Sequence, residues 1–140
     1  MARDLYEKDT SFRADVDYFC DVAKRSMTVD LREVMFAEAN DESQREQLQQ
    51  RLTETWLTQP ALCVIEFALS RLWQRCGIQP SAVIGHSIGE FAAAAVAGVM
   101  SFESAIELTV LRGKLIFDLP RGSMLAVMSP VADVLSLIHI

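Results

Sequence analysis

The chain has 140 residues, is 51% hydrophobic and carries a formal net charge of −6, enough apolar content to bury the core of about one domain. Its 13 Lys and Arg are scattered and form no basic stripe, which excludes a nucleic-acid surface; the most apolar stretch, 78–99, is interrupted by Gln79, Pro80, His86 and Glu90, which argues against a membrane span. Cys20, Cys63 and Cys76 form no C-x-x-C pair and sit in apolar or amphipathic runs, so buried free thiols, a cytoplasmic location and no metal are expected, while the charged start, 1–9, does not fit a signal peptide.

In chain order, the first element is an amphipathic helix over 11–24, with Phe12, Val16, Phe19, Cys20 and Ala23 at helical spacing and Asp15, Asp17, Asp21 and Lys24 on other faces. Asp30 caps a short helix over 31–36. Residues 38–51 are polar throughout and read as a solvated loop or a surface helix. Thr58 followed by Pro60 marks the start of a long, mostly buried helix that runs through Trp73 and ends at Gly77. Trp56 and Trp73 are placed in the core.

Pro80 breaks the chain, and Ala82-Val83-Ile84-Gly85 is short and apolar enough for a buried parallel strand. Helix returns over 88–99. Ser101 caps a further helix from Phe102 to about Leu119, Pro120-Arg121-Gly122 ends it, and Met124 to Met128 reads as another strand.

The chemistry centres on Gly85-His86-Ser87-Ile88-Gly89, a G-x-S-x-G pattern between the strand of 82–85 and the helix of 88–99. A nucleophile elbow needs this order, because serine at the apex of a tight strand-to-helix turn is lifted clear of the backbone and the helix N-terminus aims amides at a developing oxyanion. The bland alternative is a glycine-flanked serine that only caps a helix. Arg112, on the following helix, also has two readings on spacing alone: a guanidinium that binds a carboxylate through both oxygens, or an exposed arginine favourable to a helix C-terminus. Gln59 reads as a polar residue in a first helical turn. His86 adjoins Ser87, but successive side chains leave an elbow in different directions, so it is not assigned as base. Glu90, one turn after Ser87, reads as a solvated or capping carboxylate.

With its flanks, Gly-His-Ser-Ile-Gly-Glu at 85–90 resembles the acyltransferase domains of modular polyketide synthases and bacterial malonyl-transacylases. Thr58-Gln59-Pro60-Ala61-Leu62, Phe91 to Val99, Ser101-Phe102-Glu103 to Ala105, Arg112-Gly113 and Gly122-Ser123-Met124-Leu125-Ala126-Val127 agree with that family in order. The resemblance implies an α/β fold: a partial α/β-hydrolase-like acyltransferase core over 1–121, the start of a ferredoxin-like small subdomain over 122–134, and a possibly foreign tail over 135–140. It implies Ser87 as nucleophile, the backbone N–H of Ile88 as oxyanion donor, Arg112 as the holder of a malonyl carboxylate and Gln59 as a substrate-side residue that helps orient it, with Gly85, His86 and Gly89 forming the elbow.

The implied reaction carries a malonyl-type group from coenzyme A, through an acyl-serine, to the phosphopantetheine thiol of an acyl carrier protein among neighbouring synthase domains, with no bound cofactor. Isoleucine at 88 resembles the malonyl-selective members. The family histidine expected downstream and the glycine-glutamine-glycine motif expected before Met1 are not in this sequence; His139 is no credible base, and both ends read as cut. A serine esterase or thioesterase, and a catalytically inactive fragment, are the alternatives.

Overall fold

The computed structural model describes residues 2–120, 122–123 and 125–137. Eight helices are formed among them: α1 (Arg3–Lys8), α2 (Thr10–Lys24), α3 (Leu31–Met35), α4 (Glu42–Arg51), α5 (Thr55–Arg75), α6 (Gly89–Val96), α7 (Phe102–Phe117) and α8 (Val131–Leu137). None is long and apolar enough to cross a membrane.

Short polar side chains set four of the eight helix starts among the described residues by accepting an amide hydrogen that has no carbonyl within the helix. Asp9 caps α2 at Phe12 N, Asp30 caps α3 at Arg32 N, Asp41 caps α4 at Gln44 N, and Ser101 caps α7 at Ser104 N. Two glycines end helices in Schellman geometry. Gly77 (φ +82) follows α5, with Gly77 N–H donating to Gln74 O and Ile78 N–H to Trp73 O. Gly98 (φ +76) follows α6, with donors to Ala95 O and Ala94 O in the same pattern.

Helix α5 is the centre of the packing and lies chiefly against α7 and α2. Phe12, Val16 and Phe19 of α2, Leu57, Val64 and Phe67 of α5, and Ile106 of α7 are fully buried. Phe67 meets Phe102 edge-on at 4.7 Å and Phe19 at 5.5 Å between ring centroids. Across the α2–α5 seam the buried Asp15 carboxylate accepts from Arg71 at 3.1 Å and from Arg75 at 2.5 Å, and the Arg71 guanidinium lies 4.6 Å from the Phe19 ring centroid.

Several expectations are corrected. The strands expected at 82–85 and from Met124 to Met128 are not formed, and no strand occurs among the described residues. A strand exists only by pairing, and here 82–85 has no neighbouring extended backbone, so Ile84 stands 96% exposed instead of buried. Met124 lies outside the described residues; Leu125, Val127 and Met128 are exposed. The described residues form helices only, and the α/β layering and the ferredoxin-like start are not seen among them. α5 begins at Thr55, so Pro60 sits inside the helix rather than in its first turn and its missing N–H leaves the Trp56 carbonyl without that donor. Thr58 lies inside the first turn rather than at the helix start, and its hydroxyl donates back to Leu52 O and Glu54 O.

Trp73 is 56% exposed and Trp56 half-buried rather than core, and Cys76 is exposed at the end of α5 while Cys20 and Cys63 are buried. α1 has no counterpart in the sequence reading, which took its charges only as evidence against a leader. α8 runs through 131–137, across the boundary drawn at 135, whereas Ile138, His139 and Ile140 lie outside the described residues.

Candidate active site

The turn from Gly85 to Gly89 is held by hydrogen bonds from Gly89 N–H to His86 O at 3.0 Å and from Glu90 N–H to Ser87 O at 3.2 Å. At its apex Ser87 has φ +53, a left-handed conformation that costs a non-glycine residue about 1–2 kcal/mol. Among the described residues only Ala2 shares it without being glycine. Strain of this kind persists where surrounding structure enforces it, and Gly85 shows how: a Cβ there would lie 2.3 Å from Glu90 N and from the Gly89 carbonyl. The turn closes only over a residue without a side chain. Gly89 is different, since a Cβ there would meet nothing nearer than Glu66 Oε1 at 4.0 Å.

Ser87 and His86 are exposed, and neither side chain makes a hydrogen bond among the described residues. Ile88 stands at the N-cap of α6 in right-handed helical conformation, with its side chain buried. Its backbone N–H has no acceptor among the described residues, although the amides of Gly89, Glu90 and Phe91 are all taken. One backbone donor at a helix N-terminus beside an exposed, strained hydroxyl is the arrangement that stabilises a developing oxyanion. Glu90 is exposed in the first turn of α6.

Gln59 and Arg112, separated by 53 positions, are brought together where α5 and α7 pack: Arg112 Nη1 donates to Gln59 Oε1 at 2.5 Å. Gln59 is buried and Arg112 half-buried. The amide oxygen occupies one guanidinium donor and leaves the remaining N–H groups of Arg112 for another acceptor. Among the described residues no carboxylate pairs with Arg112, so none of them neutralises its positive charge.

Below this pair, burial pushes the Cys63 thiol up to about 12, against a smaller lowering by its hydrogen bond with Thr109, so it remains a protonated core thiol rather than a nucleophile.

Two residues were given no role of their own by the sequence reading. Glu66, on α5, turns toward the start of α6; its Oε2 is the buried side-chain oxygen without a hydrogen-bond partner among the described residues, and burial raises its pKa above the usual carboxylate value. It lines a groove of about 730 Å3 together with Trp73, Ile78, Val83, Ile84 and Val96. Neither Ser87, Gln59 nor Arg112 lines this groove, which reaches the elbow only at Gly89. The signal was a lone acid in the apolar run 61–69. The second residue, Gly113, is an interior helical glycine beside Arg112, a position where glycine is unfavourable unless space demands it. No grouping of His, Cys, Asp and Glu with metal-ligand geometry occurs among the described residues.

A family model described as an acyl transferase domain matches residues 1–136. The chain is 41% identical, over 99% of its length, to a PKS-NRPS hybrid synthetase, ATPKS, of Aspergillus niger, of which it spans 7%. Among solved structures, it is similar to the acyl transferase domain of ZmaA at TM-score 0.87 and 33% identity, covering 99% of this chain and 31% of that one. It is also similar to a malonyl-transacylase, PlMCAT, solved in complex with a type II polyketide acyl-carrier protein, at TM-score 0.68 and 34% identity over 87% of this chain and 36% of that one. The chain thus spans a small part of the synthetase and about a third of each solved chain it matches.

Proposed function

The chain belongs to the acyl transferase domain family, and from that premise we propose that Ser87 accepts a malonyl-type acyl group from a coenzyme A thioester and passes it to the phosphopantetheine thiol of an acyl carrier protein. The observation that carries the proposal is the conformation of Ser87, held at φ +53 over a glycine that cannot bear a side chain. A serine serving only as a helix cap has no need of that strain.

In the first half-reaction Ser87 Oγ forms a bond to the thioester carbonyl carbon and loses its proton. The Ile88 N–H donates to the oxygen that becomes negative, a contribution of about 10²–10³ in rate for a single donor. The C–S bond then breaks and coenzyme A leaves as the thiol. In the second half-reaction the carrier thiol attacks the acyl-serine carbonyl, the ester bond breaks, and Ser87 recovers its proton. Arg112, oriented by Gln59, pairs with the free carboxylate of the malonyl group; a charge-assisted pair in this half-buried setting exceeds an exposed ion pair. The complex of PlMCAT with its carrier protein supports the choice of acceptor. No histidine or carboxylate of the described residues hydrogen-bonds Ser87, so proton removal is the slow element in this chain by itself.

The finer fold follows the same reading. The exposed residues 82–84 and the apolar groove beside them fit one strand of a parallel sheet and its covering layer seen without neighbouring strands. Residues 122–134 would begin a small ferredoxin-like subdomain, and polyketide synthase domains on either side would be the neighbours. A serine esterase would share the elbow but gain nothing from an unneutralised Arg112.

Intact-mass measurement after incubation with malonyl-coenzyme A tests the proposal, with Ser87→Ala and Arg112→Ala as controls. Slow, partial addition of one malonyl group is expected, absent from Ser87→Ala. Labelling that survives Ser87→Ala removes the nucleophile from the proposal, and hydrolysis of neutral esters without malonyl transfer would favour the esterase.

A further inference from the structure

We infer that Gly113 is a positioning residue for carboxylate binding: its missing side chain lets α7 approach the first turn of α5 closely enough for Arg112 to reach Gln59. The inference rests on the role proposed for Arg112 above. A Cβ at Gly113 would lie 2.9 Å from Trp56 Cα and 3.0 Å from Thr55 O. Both obstacles are backbone, so no rotamer change relieves them. Carbon atoms in ordinary contact are about 3.5–4.0 Å apart, so an added methyl group requires the two helices to separate by about 0.6 Å or more at this point.

Thr55 and Trp56 stand one helical turn before Gln59 on α5, and Gly113 adjoins Arg112 on α7. The close backbone approach and the hydrogen bond are therefore neighbouring contacts of the same two helices. A 2.5 Å bond lengthened by about 0.6–1.1 Å becomes about 3.1–3.6 Å, from just inside the limit of about 3.2 Å for a good N–H···O bond to well beyond it. The guanidinium would then lose the amide that fixes its orientation while keeping its charge. Glycine inside α7 makes physical sense in these terms. It weakens the helix relative to alanine, and the close approach is what that weakness makes possible.

The alternative is that Gly113 occupies an ordinary helical position. The two readings predict opposite signs for Gly113→Ala. Where space is adequate, alanine raises the thermal midpoint through its helix propensity; here it is expected to lower it. Two further measurements on the whole chain read the positioning itself. By NMR, the Arg112 side-chain N–H protons are expected to exchange at least tenfold faster in Gly113→Ala than in the parent. By intact mass, the ratio of malonyl to acetyl labelling from the corresponding coenzyme A thioesters is expected to fall at least tenfold. Unchanged exchange and an unchanged ratio would overturn the inference.

Should the alanine variant not fold, the parent chain still decides: a strong nuclear Overhauser contact between the Gly113 and Trp56 α-protons is expected, and its absence overturns the close approach. Arg112→Ala separates the two levels. If it keeps the malonyl preference, the role proposed for Arg112 has failed; if it loses the preference while Gly113→Ala keeps it, only the present inference has failed.

Discussion

Arg112 Nη1 and Gln59 Oε1 lie 2.5 Å apart across the α5–α7 contact, and among the described residues no carboxylate competes for the guanidinium. In the role proposed for them, the neutral amide orients an unpaired cation toward an anion, whereas a glutamate in place of Gln59 would satisfy the charge internally. Gln59→Glu is accordingly expected to suppress malonyl labelling at least tenfold, as a loss of about 1.5–3 kcal/mol of charged hydrogen bonding would, while acetyl labelling changes little. Parallel intact-mass time courses check this; equal effects on both acyl groups would remove the carboxylate-binding role.

The elbow makes a stability prediction of unusual sign. Ser87→Gly abolishes the hydroxyl but relieves φ +53, and after the extra unfolded-state entropy of glycine a net gain of up to about 1 kcal/mol is expected. Gly85→Ala should instead be strongly destabilising, because its Cβ would fall 2.3 Å from backbone atoms of Gly89 and Glu90. Urea denaturation followed by circular dichroism compares the two. A loss of stability in Ser87→Gly would contradict the strained apex.

Glu66 gives a pH dependence. Burial raises its pKa in the folded chain above the ordinary 4.5, so the folded state binds the proton more tightly than the unfolded state does. Its contribution is most favourable below about pH 4.5 and is lost as pH rises through the folded value. Glu66→Gln should leave stability near pH 4 almost unchanged and raise it at pH 7. A difference between the two proteins that is flat from pH 4 to 8 would show that Glu66 is solvated in solution.

At the α2–α5 seam, Asp15→Asn removes the charge that pairs with Arg71 and Arg75. The carboxylate is 8% exposed and both arginines are partly open to water, so a loss of about 1–3 kcal/mol is expected, between the values for exposed and buried pairs. Urea midpoints with and without 1 M salt measure it. A loss below about 0.5 kcal/mol would place the pair with ordinary surface ion pairs.

Much of this was legible along the chain because it is local. The period of Phe12, Val16 and Phe19, the caps at Asp30 and Ser101, the glycine stop at Gly77 and the Gly85–Gly89 turn each depend on residues within a few positions of one another. α1 was missed because six residues with no buried side chain carry no apolar period. The start of α5 was misplaced because Pro60 signals a first turn, while packing of Leu57 and Pro60 carried the helix three residues further toward the N-terminus.

Sequence by itself determined α2, α3, α6, α7 and the body of α5, the elbow motif and the identity of the groups able to react, since backbone sterics, capping and side-chain chemistry operate over one or two turns. Tertiary structure decided what depends on distant partners. It withheld the strand at 82–85, for which the described residues offer no extended neighbour. It left Cys76 and Trp73 outside the core and enclosed one oxygen of Glu66. It also joined Arg112 to Gln59 through a helix contact that only Gly113 makes close enough, because burial and long-range hydrogen bonds exist only once separate helices have met.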